Sequence, residues 1–236
     1  SQDITRTARL LVATDRTLEA LHPLRLAAQK ELMAGDWGRA KDLGDLRAKI
    51  IQGVSVDPEG IHGLDTAVTA LVLYREKDRN KHFRTVIPDL IEWATRLEAW
   101  DAVTQLNLFL GSAYGLLGQI DEGRPYILKA LDLAREHQLE QITYILNRLC
   151  FLSIRSGTLD QASHFARESV LTSETWGDTR GVARGYSMLA RTHWQLGDTD
   201  SAAFYVNEAA IRYERIGSMR GLAEVWNTRG ELARAR

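Results

Sequence analysis

Three polar residues recur at a step of 40: Asn147, Ser187 and Asn227. An amide or a hydroxyl both donates and accepts hydrogen bonds, so such a row can hold a polypeptide backbone without reading its side chains. Arg148, Arg184 and Arg191 lie beside it, and guanidinium groups fork onto carboxylates. Two plainer readings stand against these. The polar row can simply face solvent, and the arginines can pair with acids of the same chain, at ~0–1 kcal/mol per surface pair. No reactive constellation competes with a binding role. There is no Gly-rich phosphate loop, no His-Glu-x-x-His and no Gly-x-Ser-x-Gly. The six histidines show no i, i+3 or i, i+4 pairing, and the single cysteine, Cys150, excludes an intrachain disulfide or a Cys-based zinc site. The expectation is no enzyme, no cofactor and no metal.

The elements that must position these residues are helices. Gly118, Gly157 and Gly197 follow one another at spacings of 39 and 40, each between two segments with a 3.6-residue apolar period. Gly35-Asp36 takes the same place upstream, and Asp78 replaces a glycine in between. Glycine suits a helix end because it adopts the left-handed conformation at least cost. Asp198 and Asp200 are placed to cap the next helix. Five residues after each turn comes a small residue, Ala40, Gly123, Ala162 or Ala202, which lets two helices approach closely. The joins Trp176–Arg180–Gly181 and Ile216–Arg220–Gly221 lie one period apart, and 137–140 is the equivalent one period earlier.

This register predicts a leading helix over 3–20, then pairs at 22–34/37–52, 62–77/79–98, 100–117/120–136, 139–156/159–175 and 179–196/199–216. A last helix over 219–234 opens an incomplete pair. Pro88 should start, kink or break the helix that contains it. In domain terms, 1–21 leads, 22–98 holds two divergent repeats, 99–217 three clear ones, and 218–236 the first helix of a sixth. The fold class expected is all-α, a right-handed α-solenoid of stacked antiparallel helix pairs, since no single pair can bury its apolar face alone.

Bulk properties fit a globular chain: 44% hydrophobic, 26% charged and a net charge of −1 over 236 residues. That charge argues against nucleic acid as a partner. No apolar run approaches the ~20 residues of a membrane span. The chain starts at Ser1 without a signal peptide, which reads as a cytoplasmic piece of something longer.

The pattern Leu110-Gly111, Tyr114, Gly118, Gly123, repeated as Leu149-Cys150, Ser153, Gly157, Ala162 and as Leu189-Ala190, His193, Gly197, Ala202, resembles the tetratricopeptide repeat family. Its ~40-residue period and Gly-Asp/Ser-x-Arg-Gly joins look like the long variant of bacterial MalT-like and STAND-type regulators. The resemblance implies a protein or peptide ligand in a concave groove lined by the first helix of each pair. It also implies a sensor or docking part of a larger bacterial regulator; the alternatives are a small-molecule inducer domain or a self-association domain. Counted back from the turn glycines, the family's groove positions fall at Tyr144, Asn147, Arg148, Phe151 and Arg155. In the next repeat they fall at Arg184, Ser187, Arg191 and Trp194, and in the last helix at Asn227 and Glu231. Pair three departs, with Leu108 and Ser112. Trp226 reads as core and Cys150 as inert core. Leu222, Val225 and Trp226 lack a cover helix, which leaves a homo-oligomer through the C-terminal helix open.

Overall fold

Among the described residues the chain forms eleven α-helices and no strand. The structure is a computed structural model and describes residues 6, 10–11, 13–14, 16–34, 36–53, 59–73 and 78–234. In order the helices are α1 (Thr17–Ala34), α2 (Trp37–Gly53), α3 (Ile61–Leu73), α4 (Arg79–Arg96), α5 (Trp100–Leu116), α6 (Ile120–Glu136), α7 (Ile142–Arg155), α8 (Leu159–Thr175), α9 (Thr179–Gln195), α10 (Thr199–Arg215) and α11 (Met219–Arg234). Adjacent helices pack as pairs, an all-α fold of the helix-pair solenoid class. The chain divides into two units, Ser1–Phe109 and Leu110–Arg236.

In unit 1 the expected boundaries shift. The predicted leading helix over 3–20 falls largely outside the described residues, and 17–20 belong to α1. Ala20, Leu21, Leu24, Ala27 and Ala28 form one stripe against Leu43 and Ile50 of α2, and burial of that stripe carries the helix through Pro23. Likewise Pro88 neither starts nor breaks α4, whose face Phe83, Ile87, Leu90 and Ala94 is buried. Burying a large aliphatic or aromatic side chain is worth ~1.5–3 kcal/mol, enough in sum to outweigh the ~3 kcal/mol of an interior proline. Residues 74–77, expected as helix, also lie outside the described set. Asp78, expected in a left-handed turn, has φ −97° and stands at the N-cap position of α4 without a side-chain cap bond.

Unit 1 also buries charge. Arg25 and Asp65 are each 1% exposed, with Arg25 Nε 2.7 Å from Asp65 Oδ1. Arg25 also pairs with Asp101 and donates to Gln105 Oε1 at 3.1 Å. Arg47, equally buried, donates to the Leu21 carbonyl at 3.1 Å and to Thr66 Oγ1 at 3.2 Å. Its Nη2 lies 4.0 Å from Asp65 Oδ2. Burial pushes Arg47 down to about 10 against the attraction of Asp65. Burial works to raise Asp65, but the hydrogen bond from His22 and the charge of Arg25 hold it below the usual carboxylate range.

Unit 2 follows the predicted register closely. Gly118, Gly157 and Gly197 have φ of 86°, 75° and 79°, and the chain closes each turn with a bond back into the helix, such as Asp198 N–H to the His193 carbonyl at 2.9 Å. Asp198 caps α10, accepting from the Ser201 amide at 3.0 Å. The joins between pairs are left-handed too: Gly177 and Gly217 at 66° and 64°, and the non-glycine Gln138 at 51°, matched in unit 1 by Glu98 at 51°. The small residues lie where helices cross. A Cβ at Gly123 would stand 2.5 Å from the Gly111 carbonyl oxygen and 2.9 Å from Tyr114 Cβ. Cys150 is fully buried, as expected. At the carboxyl end Leu222 and Val225 are covered, at 7% and 0% exposure, whereas Trp226 is 52% exposed. This corrects the reading of Trp226 as core and of Leu222 and Val225 as an open face: α11 turns the latter pair toward α9 and α10 and leaves the indole outside.

Candidate functional site

The first helix of each pair in unit 2 packs on its counterparts in the adjacent pairs, α7 on α9 and α9 on α11. Residues seven apart on one helix stand on the same face ~10.5 Å apart, and the predicted positions use this spacing twice. Tyr144 and Phe151 are half-buried on α7. The Tyr144 ring lies under Arg148 at 5.6 Å and under Arg184 of α9 at 5.5 Å. The Phe151 ring lies under Arg155 at 5.9 Å and under Arg191 of α9 at 5.7 Å. Two aromatic rings, each flanked by one guanidinium from each helix, therefore form a double station across α7 and α9.

The field at this face registers on Tyr144. Burial opposes ionisation of its phenol, yet the charges of Arg148 and Arg184 and a hydrogen bond from Arg148 bring it below the usual tyrosine range. Arg184 also hydrogen-bonds the Tyr213 phenol, which burial nevertheless pushes up to about 12. Arg155 donates to the Gly115 carbonyl at 2.7 Å, at the end of α5, so it is partly engaged in joining repeats. Arg191 is exposed.

The polar row divides. Asn147 is 5% exposed; its Nδ2 donates to the Thr143 carbonyl one turn back at 2.7 Å, and its Oδ1 has no partner. That bond fixes which end of the amide is free, and a buried acceptor left unpaired costs ~1–3 kcal/mol. Ser187 is buried at 6%. Asn227 is exposed and reaches Glu231 Oε1 at 3.4 Å, so it does not repeat the setting of Asn147. Trp194 is half-buried and packs against the cluster of Ala183, Ala190, Ala202 and Val206.

Sequence reasoning missed three features. Asn107, one 40-residue step before Asn147, makes the same bond to its own helix, at 2.8 Å from the Val103 carbonyl; counting from the turn glycine had selected Leu108. Tyr186 carries a further guanidinium, Arg212, at 4.5 Å. Charge is also partitioned by helix. α7 and α9 carry Arg148, Arg155, Arg180, Arg184 and Arg191 and no Asp or Glu. The second helices of unit 2 are net acidic, α8 most of all, with Asp160, Glu168 and Glu174 against Arg167. That asymmetry was countable in the sequence once helices were assigned to first or second place in a pair. Among the described residues no cluster of His, Cys, Asp and Glu could hold a metal ion, and no helix is long and apolar enough to cross a membrane.

The family model for the tetratricopeptide repeat matches residues 104–137 and 183–210, so repeats of this kind are detected at two places. No curated protein sequence matches the chain. Among solved structures, BtubC (BKLC) from P. vanneervenii is 19% identical, with a TM-score of 0.59 over 92% of this chain and 90% of that one. The Rap conjugation gene regulator of plasmid pLS20, in complex with the Phr* peptide, is 15% identical, with a TM-score of 0.60 over 91% of this chain; the match spans 59% of that regulator's chain. A Rap protein complexed with Competence and Sporulation Factor is 14% identical, with a TM-score of 0.57 over all of this chain and 72% of the other. At these identities the likeness is one of fold.

Proposed function

We propose that this chain is a protein- or peptide-binding repeat module, the docking or sensing part of a larger regulatory or signalling protein, with its ligand on the α7–α9 face. The observation that carries the reading is Asn147. Its side chain is almost fully buried, its orientation is fixed by the bond to the Thr143 carbonyl, and its own carbonyl oxygen has no hydrogen-bond partner in the folded chain. The arginine-flanked rings beside it supply a rigid surface of aromatic and guanidinium planes, the side chains most enriched at binding hot spots. That two fold neighbours were solved with a Phr* peptide and with Competence and Sporulation Factor supports a peptide ligand.

The test is capture of a partner on the unmodified chain and on an Asn147→Leu, Arg191→Glu variant of unchanged helicity, followed by hydrogen exchange on the purified complex. Protection over Ile142–Arg155 and Thr179–Gln195, lost with the variant, is expected. A partner kept by the variant, with protection confined to α6, α8 and α10, overturns the placement. A second reading, self-association through α11, is favoured by Met219 and Trp226, seven apart and 68% and 52% exposed. A sedimentation mass that stays monomeric at high concentration removes it.

A further inference from the structure

We infer that the ligand of the α7–α9 face is an acidic, extended peptide segment carrying two carboxylates about 10 Å apart; this rests on the reading that the face binds a peptide. Three observations converge on it. The first is the double station itself. Arg148 and Arg184 flank Tyr144, and Arg155 and Arg191 flank Phe151. A guanidinium over a ring is held in orientation, and its planar fork matches a carboxylate; Arg191 is exposed at the Phe151 station. The second is the partition of charge: both helices of the face lack Asp and Glu, while α8, behind them, is net acidic. Like charges placed opposite a wrong partner reject it, so this partition selects by sign. The third is the buried, unpaired Oδ1 of Asn147, which lies between Tyr144 and Phe151 in the α7 sequence; a backbone N–H would satisfy it, and that favours a chain over a free acid.

The spacing restricts the ligand further. Tyr144 and Phe151, and likewise Arg184 and Arg191, are separated by two helical turns. In a polyproline II segment, residues three apart point the same way and stand ~9.3 Å apart, so Asp or Glu at positions i and i+3 meets both stations at once. A single-stranded nucleic acid shares the negative charge and stacks on aromatic rings. It fits less well, because its evenly charged backbone would run on from the two stations toward the acidic second helices.

The experiment is selection of a random peptide display library on the immobilised full chain, followed by fluorescence anisotropy with a synthesised winner. The winners should carry paired Asp or Glu three positions apart. Replacing both by Gln should weaken binding at least tenfold, raising the salt concentration should weaken it further, and Arg191→Glu should abolish it. Arg191 is exposed, so its replacement leaves the core intact; Arg191→Lys, which keeps charge but loses the planar fork, should recover part of the affinity. Neutral or basic winners, or binding insensitive to Arg191→Glu, overturn the inference and leave the peptide-binding reading standing. A selection that enriches nothing also overturns it, and the capture experiment then decides the reading alone. An oligothymidylate that binds more tightly than the best peptide overturns it in favour of nucleic acid.

Discussion

Asp65→Asn is the sharpest probe of what holds unit 1 together. The substitution keeps the size and the oxygen acceptor but removes the charge that faces two buried guanidiniums, Arg25 at 2.7 Å and Arg47 at 4.0 Å. Arg25 is 1% exposed and keeps, among the described residues, Asp101 as its anionic partner; Arg47 keeps the neutral Leu21 carbonyl and Thr66 hydroxyl. Breaking a buried pair from one side costs about 3–5 kcal/mol. With a urea dependence of roughly 2 kcal/mol per molar, the unfolding midpoint should fall by about 1.5–2.5 M. Replacing both partners, Arg25→Met with Asp65→Leu, should destabilise less than Asp65→Asn alone, because Arg25 is no longer orphaned, Arg47 loses Asp65 in either variant, and Asp101 is partly exposed to water. The pH dependence follows from the lowered Asp65 value. A carboxylate held below its unfolded value of ~3.9 contributes stability that is complete above that value and is lost as pH falls through the folded one. The gap between the unmodified chain and Asp65→Asn should therefore be constant near neutrality and close in acid. A midpoint shift under roughly 0.5 M, or a gap that does not narrow in acid, would refute the view of a dry, mutually dependent cluster.

Other outcomes are expected elsewhere. Gly123→Ala should lower stability by about 1–3 kcal/mol although alanine is the better helix former, since its Cβ meets backbone at 2.5 Å and α5 and α6 must part; an unchanged or higher melting temperature would show slack at the crossing. Cys150, fully buried and with its thiol pushed up to about 12 by burial, should resist thiol reagents in the folded chain and react only on denaturation; rapid labelling of native protein contradicts this. Tyr144 should ionise before free tyrosine does, so native stability rises with pH between its lowered value and ~10. Tyrosinate absorbance of the unmodified chain minus that of Tyr144→Phe measures it, and a titration at or above ~10 counts against the arginine field. Gln138→Gly should stabilise by about 0.5–1 kcal/mol by relieving a left-handed side chain at φ 51°; a loss in denaturant melts would mean that the Gln138 side chain holds the join.

What the sequence revealed depended on how local the cause was. Turn glycines, the small residues after them and the span of α11 were legible because each reports one backbone requirement at one position. Pro88 misled because a long apolar stripe outweighs a local penalty, and stripes become visible only when the partner helix is known. Trp226 was misplaced for a similar reason. Which side of α11 turns inward depends on how it abuts α9 and α10, and that side carries Leu222 and Val225. Within the site, the residues were legible from the repeat but their pairing was not. That Arg184 reaches Tyr144, and Arg191 reaches Phe151, depends on how α7 and α9 abut. Asn107 was missed because turn glycines and joins keep slightly different counts, 39 against 40.

The left-handed joins set an order of assembly. Where stability is a sum of nearest-neighbour terms, growth starts at the best-coupled repeats and spreads outward. Gly177 and Gly217 close their joins freely, whereas Gln138 carries a left-handed cost of ~1–2 kcal/mol. Renaturation of unit 2 should accordingly begin among α8 to α11 and travel toward the amino end, so that pulse-labelled exchange protects α10 amides before those of α6. A ribosome delivers the chain in the opposite direction. The early repeats must then wait, incompletely consolidated, until the glycine-joined ones emerge and give them a template to close upon.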